Sequence, residues 1–289
     1  MDGDSIDAKI ANGSKVDEPD ILGFRPKSRD VPKMARMSVE KDAYFYKMTH
    51  KKRGIAVIFN HEKFLVGNLT DRTGTNADSE ALEKCFTKLG FDVMVFKDLS
   101  CSELISQVEK VAEMDHSDND CLVMCILSHG EENFIFACDT LYKHEEIWGP
   151  FTADKCPTLA GKPKMFFIQA CQGKKLDPGI RVTQVDSSPY SYKIPIHADF
   201  LIAYSTIPGF FSWRNTGKGS WFIQALTAEL EESAFLYDML TILTFVNRRV
   251  AVDFESNVPG NTMMDAQKQM PCITSMLTRL VKFPEIKNK

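Results

Sequence analysis

The sequence predicts an α/β fold in which a mostly parallel sheet is covered by helices on both faces. Short apolar segments alternate with helical segments of about 10 to 15 residues, which is typical of βαβ units. The apolar segments are hydrophobic at nearly every position, as strands buried on both faces are. The chain has 289 residues, of which 44% are hydrophobic, so it can bury a sizeable core within one α/β unit.

The individual elements follow from composition and from the spacing of apolar residues. Residues 1–35 are polar and without a sustained period, so we expect a disordered leader, with the folded part beginning near Tyr44 or Met48. The first helix begins at Asp78 or Ser79, since either is a suitable N-cap, and Gly90 stands just past its end. The predicted strands are 54–62, 91–96, 120–130, 133–138, 164–170, 199–206 and 272–283. The predicted helices are 78–90, 100–115, 219–233 and 237–254.

Composition and charge exclude several classes of function. The net charge is −4 and no block of basic residues occurs, so neither a nucleic-acid partner nor an anionic membrane surface is expected. The apolar runs are too short to span a bilayer, and the acidic N-terminus does not have the pattern of a signal peptide. None of the eight cysteines forms a CxxC pair or a zinc-like spacing, so we expect reduced thiols, a cytoplasmic location and no metal or other cofactor.

One cysteine stands where a reactive group is expected. Cys171 follows the predicted strand 164–170, and His129 stands at the end of the predicted strand 120–130, before Gly130. In an open parallel sheet, reactive groups collect at the carboxyl ends of strands. An imidazole can favour the thiolate and later protonate a leaving amine, and the backbone N–H groups of Gly130 and Cys171 can hold an oxyanion. Placement alone leaves two interpretations open, a catalytic pair or an inert core cysteine and a structural histidine.

The local sequence decides between them. Residues 169–173 read QACQG, the caspase signature, for which a partner histidine is expected about 50 residues upstream. His129 precedes Cys171 by 42 residues (171 − 129). Further segments resemble the caspase family in unbroken order from about residue 44 to about residue 285. They are RTGTN (72–76), LSHGEE (127–132), AYSTIPGFFSWRN (203–215), GSWFIQAL (219–226), NRRVAVDFES (247–256) and PCITSMLTRL (271–280).

The resemblance implies a fold and a catalytic pair. It implies the caspase fold, with a central, mostly parallel six-stranded sheet, helices on both faces, and a large and a small subunit cut from one chain. These would be residues 36–186 and 187–289, after a leader of residues 1–35, and the exposed polar stretch 171–195 would include the cleavable loop. Cys171 would be the nucleophile and His129 its acid/base partner, with no carboxylate completing a triad.

The resemblance also implies a preference for aspartate at the cut site. A small, strongly positive pocket is needed to hold a carboxylate, because guanidinium groups bind carboxylates bidentately. The matching positions are Arg72, Arg214 and Gln169. The outer substrate-binding positions, with a DEVD-like preference, would be Tyr204, Ser205, Trp213, Asn215, Trp221 and Met264.

Activation and partners follow from the same resemblance. Cleavage is expected after Asp186, which is followed by a small residue, and after Asp20 in the leader, whereas Asp30 and Asp177 fit less well. The short leader, without a recruitment domain, resembles that of an arthropod effector caspase that an upstream initiator caspase activates to execute apoptosis. The expected partners are protein substrates, inhibitor-of-apoptosis proteins, viral caspase inhibitors and, through the strand 272–283, a second copy in a homodimer.

Three alternatives compete with a zymogen protease. A catalytically silent caspase-like regulator would lack the cysteine, the histidine or a pocket arginine, and all of these are present. A thiol oxidoreductase would need a resolving cysteine beside Cys171, and the nearest in sequence is Cys156. A metal-dependent enzyme has no ligand cluster in the sequence to support it.

Overall fold

A central sheet of six strands organises the chain in a computed structural model, which describes residues 39–40, 42–67, 69–173, 175–177 and 197–285. The strands are β1 (Lys52–Asn60), β2 (Asp92–Lys97), β3 (Asn119–Leu127), β4 (Gly130–Glu131), β5 (Phe134–Phe136), β6 (Leu141–Lys143), β7 (Lys164–Gln169), β8 (Phe200–Tyr204), β9 (Arg214–Asn215), β10 (Gly219–Ser220) and β11 (Cys272–Ser275). The helices are α1 (Thr75–Lys88), α2 (Cys101–Glu113), α3 (Glu145–Trp148), α4 (Trp221–Ser233) and α5 (Met239–Asp253).

The sheet has the predicted character. Its order is β11-β8-β7-β3-β1-β2, and every neighbouring pair is parallel except β11 with β8. Strands β3 and β7 are buried along their whole length, as their continuous apolar character predicts. Strands β4 to β6 form a small separate sheet, and β9 and β10 form a two-stranded ribbon.

Helices cover both faces of the central sheet. Helices α1, α4 and α5 pack against one face, where Phe86, Leu226 and Leu243 share a core with alternate strand residues such as Val123. Helices α2 and α3 pack against the other face. The period of two along each buried strand sends successive side chains into opposite cores, so a single strand stabilises both layers.

The register of β3 against β7 positions the candidate site. The two strands run parallel with Leu127 opposite Gln169, and the N–H of Ser128 donates to the carbonyl of Gln169 at 3.1 Å. His129 and Cys171 each lie two residues beyond that last pair. The pairing therefore brings the two residues to the same edge of the sheet, as the sequence predicts.

The predicted start of α1 is wrong by three residues. The helix begins at Thr75 and its N-cap is Gly74, whose φ of 91° lies in the left-handed region that glycine adopts without strain. Asp78 is inside the helix, buried, and accepts hydrogen bonds from the backbone N–H and the hydroxyl of Ser220, each at 2.6 Å. The carboxylate therefore stabilises a tertiary contact instead of the helix end.

The last predicted strand is shorter than expected. Strand β11 ends at Ser275. Met276 still exchanges backbone hydrogen bonds with Asp199 and Phe200, each at 2.8 Å, and Thr278 then contacts the N-terminal segment. The hydroxyl of Thr278 donates to Asp199 at 2.7 Å and its N–H donates to the hydroxyl of Tyr46 at 2.9 Å. The C-terminal segment is thereby tied to the N-terminal one.

Two further findings concern the whole described chain. No helix within these residues has the length and hydrophobicity needed to cross a bilayer. All eight cysteines carry free thiols.

Helix α2 yields a prediction about stability. Ser100 and Glu103 form a capping box, in which the Ser100 hydroxyl accepts from the N–H of Glu103 and the Glu103 carboxylate accepts from the N–H of Ser100. Ser100→Ala should lower the free energy of unfolding by about 1 kcal/mol, measured by urea denaturation. Ser106→Ala, inside the same helix, is the control and should change it by less than about 0.5 kcal/mol. Equal effects of the two substitutions would contradict a role for the cap.

Candidate active site

A cleft of about 630 Å³ opens at the carboxyl ends of β3 and β7, and both Cys171 and His129 line it. The other lining residues come from the segment after β1, from β4 and β5, and from the loops that follow β7 and β8. They are Leu69, Gly130, Glu131, Glu132, Phe136, Gly173, Lys175, Gly209 and Phe211. The predicted pair therefore shares one concave site.

His129 is held in one orientation. Its Nε2 lies 2.8 Å from the carbonyl oxygen of Thr70, and the ring of Phe64 packs against it with centroids 4.8 Å apart. A carbonyl can only accept, so Nε2 carries the proton and Nδ1 keeps a lone pair. Burial lowers the pKa of His129, and the charges of Arg72 and Arg214 lower it further, against the opposing effect of the Thr70 carbonyl. The imidazole is therefore neutral at physiological pH and able to take a proton.

Cys171 lies under the loop that follows β8. The backbone N–H of Ser212 points at its Sγ at 3.4 Å, and the Ser212 carbonyl is 3.8 Å from the same sulfur. Burial raises the pKa of the Cys171 thiol, while the Ser212 N–H and the two nearby guanidinium groups act in the opposite direction. The thiol is therefore mostly protonated at neutral pH, and a base is needed to generate the nucleophile.

Arg72 and Arg214 carry positive charges that act on Cys171, and Gln169 ends strand β7 two residues before it. Arg72 is 1% exposed, and its Nη1 donates to the His61 carbonyl at 3.1 Å and to the Thr75 hydroxyl at 2.6 Å. Arg214 donates from Nε to the carbonyl of Thr73 at 3.0 Å. The positive charge of Arg214 is the second cause, after burial, that lowers the pKa of Arg72, so the two guanidinium groups interact.

Buried polar atoms at this place have unused hydrogen-bonding capacity. Within the described part of the chain, Arg72 Nη2 and Gln169 Oε1 are buried without a partner. The amide nitrogen of Gln169 donates to the hydroxyl of Ser212 at 2.7 Å. Unpaired buried polar atoms are costly, and a buried, partly unpaired guanidinium is suited to a small anionic group.

Asp78 fixes the segment that carries Arg214. Its carboxylate binds Ser220 in β10, and Ser220 pairs with Arg214 across the ribbon of β9 and β10. Each oxygen of the carboxylate accepts one hydrogen bond in this contact. Asp78 therefore places Arg214. Burial raises the pKa of Asp78, and the charges of Arg72 and Arg214 oppose this rise.

Four of the predicted outer substrate-binding positions lie in or near the ribbon of β9 and β10 or in the loop before β11. Trp213 stacks on Trp221 with centroids 5.7 Å apart, and Trp221 stacks in turn on Phe254 at 5.5 Å. Trp221 is only 6% exposed and lies in the middle of this stack. The side chain of Asn215 accepts from the N–H groups of residues 217 and 218, each at 2.9 Å. Met264 is half-buried in the loop of residues 255–271.

The structure places Tyr204 and Ser205 outside the cleft that contains Cys171. Tyr204 lines a different cavity and packs against His144, with ring centroids 5.5 Å apart. Ser205 is fully buried, and its hydroxyl donates to the carbonyl of Ala170 at 3.0 Å. Tyr204 is the last residue of strand β8 and Ser205 follows it directly. Their side chains therefore lie beside the sheet and do not line the cleft. The residues that do reach it from this segment are Phe211, which lines the cleft, and Ser212, which contacts Cys171.

Gly130 allows the two strand ends to approach closely. A Cβ at this position would lie 2.7 Å from the carbonyl oxygen of Cys171 and 2.9 Å from the Cβ of Ala170. Only glycine fits here without displacing the backbone.

Sequence reasoning did not identify several contributors to the site. Thr70 holds His129 through its backbone carbonyl, which no pattern of side chains indicates. Phe211 and Ser212 lie inside the segment 203–215, but the spacing of apolar residues alone does not show which of its residues face the cleft.

No group of three metal-binding side chains occurs within the described ranges. Asp20, Asp30 and Asp186 lie outside those ranges, and the backbone carbonyl of Asp177 accepts from the N–H of Lys268 at 2.9 Å.

Comparison with known proteins gives consistent results. Residues 53–282 match a family model described as Caspase domain. The chain is 56% identical over 283 residues to Caspase-1 of Spodoptera frugiperda, covering 97% of this chain and 94% of that protein. It is 53% identical to Caspase drICE of Drosophila melanogaster, covering 90% and 78%. The crystal structure of Caspase-1 from Spodoptera frugiperda superposes with a TM-score of 0.83 at 56% identity, covering 88% of this chain and all of that chain.

The protonation state of the site can be tested in the uncut chain. Because burial raises the pKa of Cys171, alkylation by iodoacetamide should be slow at neutral pH and should accelerate through a midpoint above about 8.5, the ordinary cysteine value. Arg214→Gln should move that midpoint further upward, since it removes a positive charge near the sulfur. The rate is measured by mass spectrometry of the peptide that contains Cys171. A midpoint at or below about 8.5 would contradict a pKa raised by burial.

Proposed function

This chain belongs to the caspase family, and on that premise we propose which of its residues carry out and control the reaction. The chain is an apoptotic caspase, a cysteine endopeptidase related to the insect effector caspases. A catalytically silent regulator is not favoured. What the family does not specify is the role of each residue in this molecule, and the geometry of the cleft supports the following assignment.

Cys171 is the nucleophile and His129 the acid and base. As the sulfur attacks the scissile carbonyl, its proton passes to the free Nδ1 of His129, and the carbonyl oxygen becomes an oxyanion. The N–H groups of Gly130 and Cys171 stabilise that oxyanion. The protonated imidazole then donates to the leaving amine as the C–N bond breaks. Water, deprotonated by His129, hydrolyses the remaining thioester and restores the thiol.

The aspartate preference rests on one observation above all, the buried guanidinium Nη2 of Arg72 that has no partner in the described chain. A substrate carboxylate beside Arg72 and Arg214 would supply the acceptor that Arg72 Nη2 lacks, and Gln169 could reach it through the second N–H of its amide nitrogen, whose first N–H donates to Ser212. Asparagine would leave donors unpaired, since its amide offers a single acceptor atom and brings donors of its own. Trp213, Asn215, Trp221, Met264 and Phe211 supply the outer contacts that favour a DEVD-like peptide.

The chain is a zymogen that is cut in two places. Cleavage after Asp186 separates a large subunit, residues 36–186, from a small one, residues 187–289, and cleavage after Asp20 shortens the leader of residues 1–35. The last described residues before the linker, 175–177, hydrogen bond to the loop beside Cys171, which supports a link between linker cleavage and the state of the cleft.

The proposed partners follow from membership of the caspase family and from the exposed edge of the central sheet at β11. Proteins with aspartate at the cut site are substrates. An upstream initiator caspase cuts the linker, and inhibitor-of-apoptosis proteins and viral caspase inhibitors block the cleft. Strand β11 is the last of the sheet, with no strand on its outer side among the described residues, and we propose that it forms the homodimer interface. The site of action is the cytoplasm.

Expression of the full chain beside Cys171→Ala and Asp186→Ala tests the assignment. Intact mass should show cleavage at Asp186 in the parent only, and the cleaved parent should hydrolyse a fluorogenic DEVD peptide at least about 10⁴-fold faster than its DEVN counterpart. Cys171→Ala should be inactive, and Asp186→Ala should stay uncut at the linker and weakly active. Cys156→Ala is the matched control and should retain the parent's activity.

Two results would overturn the proposal. The first is a parent that stays inactive after an added initiator caspase has cut it at Asp186. The second is equal hydrolysis of the Asp and Asn peptides. That result would overturn the assignment of the carboxylate pocket and would leave the assignment of a peptidase intact.

Gly130→Ala tests the oxyanion assignment. The added Cβ would displace the backbone next to the Cys171 carbonyl, so kcat/KM should fall about 10²-fold or more. Gly149→Ala is the control, because its Cβ would meet nothing nearer than 4.0 Å. Steady-state kinetics on the cleaved proteins distinguishes the two, and unchanged kcat/KM in Gly130→Ala would exclude close approach of these strand ends in the active protein.

A further inference from the structure

Gln269 connects two parts of the active site through a fully used side-chain amide. The residue is 2% exposed and lies three residues before β11. Its Nε2 donates to the carbonyl of Ser205 at 2.7 Å, and its Oε1 accepts from the N–H of Trp213 at 2.6 Å. The orientation of the amide is fixed by its partners, since a carbonyl only accepts and a backbone N–H only donates.

One end of this bridge supports the nucleophile. The hydroxyl of Ser205 donates to the carbonyl of Ala170 at 3.0 Å, and the N–H of Ala170 points back at the same hydroxyl at 3.3 Å. The N–H of Ser205 also donates to the carbonyl of Ile168 at 2.9 Å. Ser205 is therefore bound to the backbone of the strand that ends at Cys171.

The other end supports the aspartate pocket. Trp213 lies between Ser212, which contacts both Cys171 and Gln169, and Arg214, which is one of the two pocket arginines. The N–H of Trp213 has Gln269 as its hydrogen-bond partner. The carboxamide of Gln269 thus joins Ser205 to Trp213, in addition to the backbone hydrogen bonds by which Gln172 and Lys175 hold residues 209–211 of the same loop.

The backbone around Gln269 is held independently of its side chain. The N–H of Lys268 donates to Asp177 at 2.9 Å, and the carbonyl of Met270 accepts from the N–H of Ile207 at 3.0 Å. A substitution at position 269 therefore removes the bridge while the flanking pairing remains.

We propose that Gln269 is a positioning residue that holds the loop with Ser212 and Arg214 in register with the nucleophile. This inference rests on the proposed roles of Cys171 and Arg214. Gln269 itself does not touch the substrate. Its contribution is to the alignment of the pocket, in which a misplacement of about 1 Å is enough to slow the reaction about 10²-fold.

Replacement by glutamate provides the most specific test. In Gln269→Glu, an ionised carboxylate can still accept from Trp213, but it sets a negative oxygen against the carbonyl of Ser205. The protonated form of the same side chain can donate to that carbonyl and restore both bonds, because a neutral carboxyl has one donor and one acceptor. The buried position next to a carbonyl favours protonation. The kcat/KM of Gln269→Glu should therefore be about 10²-fold below the parent at pH 8, and the ratio of variant to parent should rise at least about tenfold by pH 6.

Two further variants separate positioning from general damage. Gln269→Met has a similar volume and no hydrogen bonds, so its kcat/KM should be about 10²-fold below the parent at every pH. Gln267→Glu is the control, because the amide of Gln267 bonds only to the carbonyl of Asp265 within its own loop at 2.9 Å. Its ratio to the parent should stay near one from pH 6 to pH 8.

The experiment uses the full chain, cut at the linker by an initiator caspase, with a DEVD substrate and a thermal unfolding temperature recorded at each pH. A folded Gln269→Met variant with the parent's kcat/KM, or the same pH dependence in Gln267→Glu, would overturn the inference. If Gln269→Glu unfolds at pH 8, or if its ratio to the parent does not change between pH 6 and pH 8, Gln269→Met decides. An inactive parent would instead overturn the proposed function, so the two failures are distinguishable.

Discussion

Arg72 carries a positive charge into a place from which water is excluded, and the active-site edge of the sheet is built around that charge. A buried ion is costly unless it is paired. Here Nη1 of the guanidinium donates to a carbonyl and a hydroxyl, and the charge of Asp78 favours the ionised form of Arg72. The protein thus provides acceptors for Nη1 of Arg72 but none, among the described residues, for Nη2. A substrate carboxylate that supplies an acceptor for Nη2 gains more than it would at a solvated arginine.

The same charge acts on the proposed catalytic pair, His129 and Cys171. Burial is the largest cause that lowers the pKa of His129, and Arg72 and Arg214 lower it further. A carboxylate bound to both arginines would offset their charge and raise the basicity of the imidazole just when a thiol proton must be removed. It would also weaken the help that the arginines give to the Cys171 thiolate. Both changes favour a mechanism in which the Cys171 proton moves to His129 as the sulfur attacks. They disfavour a thiolate–imidazolium ion pair that exists before substrate binds.

The sheet was predictable from the sequence, but parts of the site were not. Continuous apolar composition indicates the buried parallel strands, and their carboxyl ends bring His129 and Cys171 together through ordinary register. Beyond a strand end this logic stops. Tyr204 and Phe211 lie seven residues apart in one segment. Phe211 lines the cleft and Tyr204 does not, because the chain turns near Gly209 (φ 92°). The support of His129 by the Thr70 carbonyl leaves no trace in side-chain chemistry.

The nucleophile and the groups that surround it are therefore fixed by different means. Cys171 follows a strand paired on both sides, whereas the loop in front of it is held by hydrogen bonds to the segment just after the nucleophile. The N–H of Lys175 donates to Gly209 at 2.9 Å, and Phe211 donates back to Lys175 at 2.9 Å. That segment leads directly into the linker. A change in the path of residues 175–177 would thus move the cleft wall while the strand end stays in place, and the proposed cleavage after Asp186 would act on the cleft by this route.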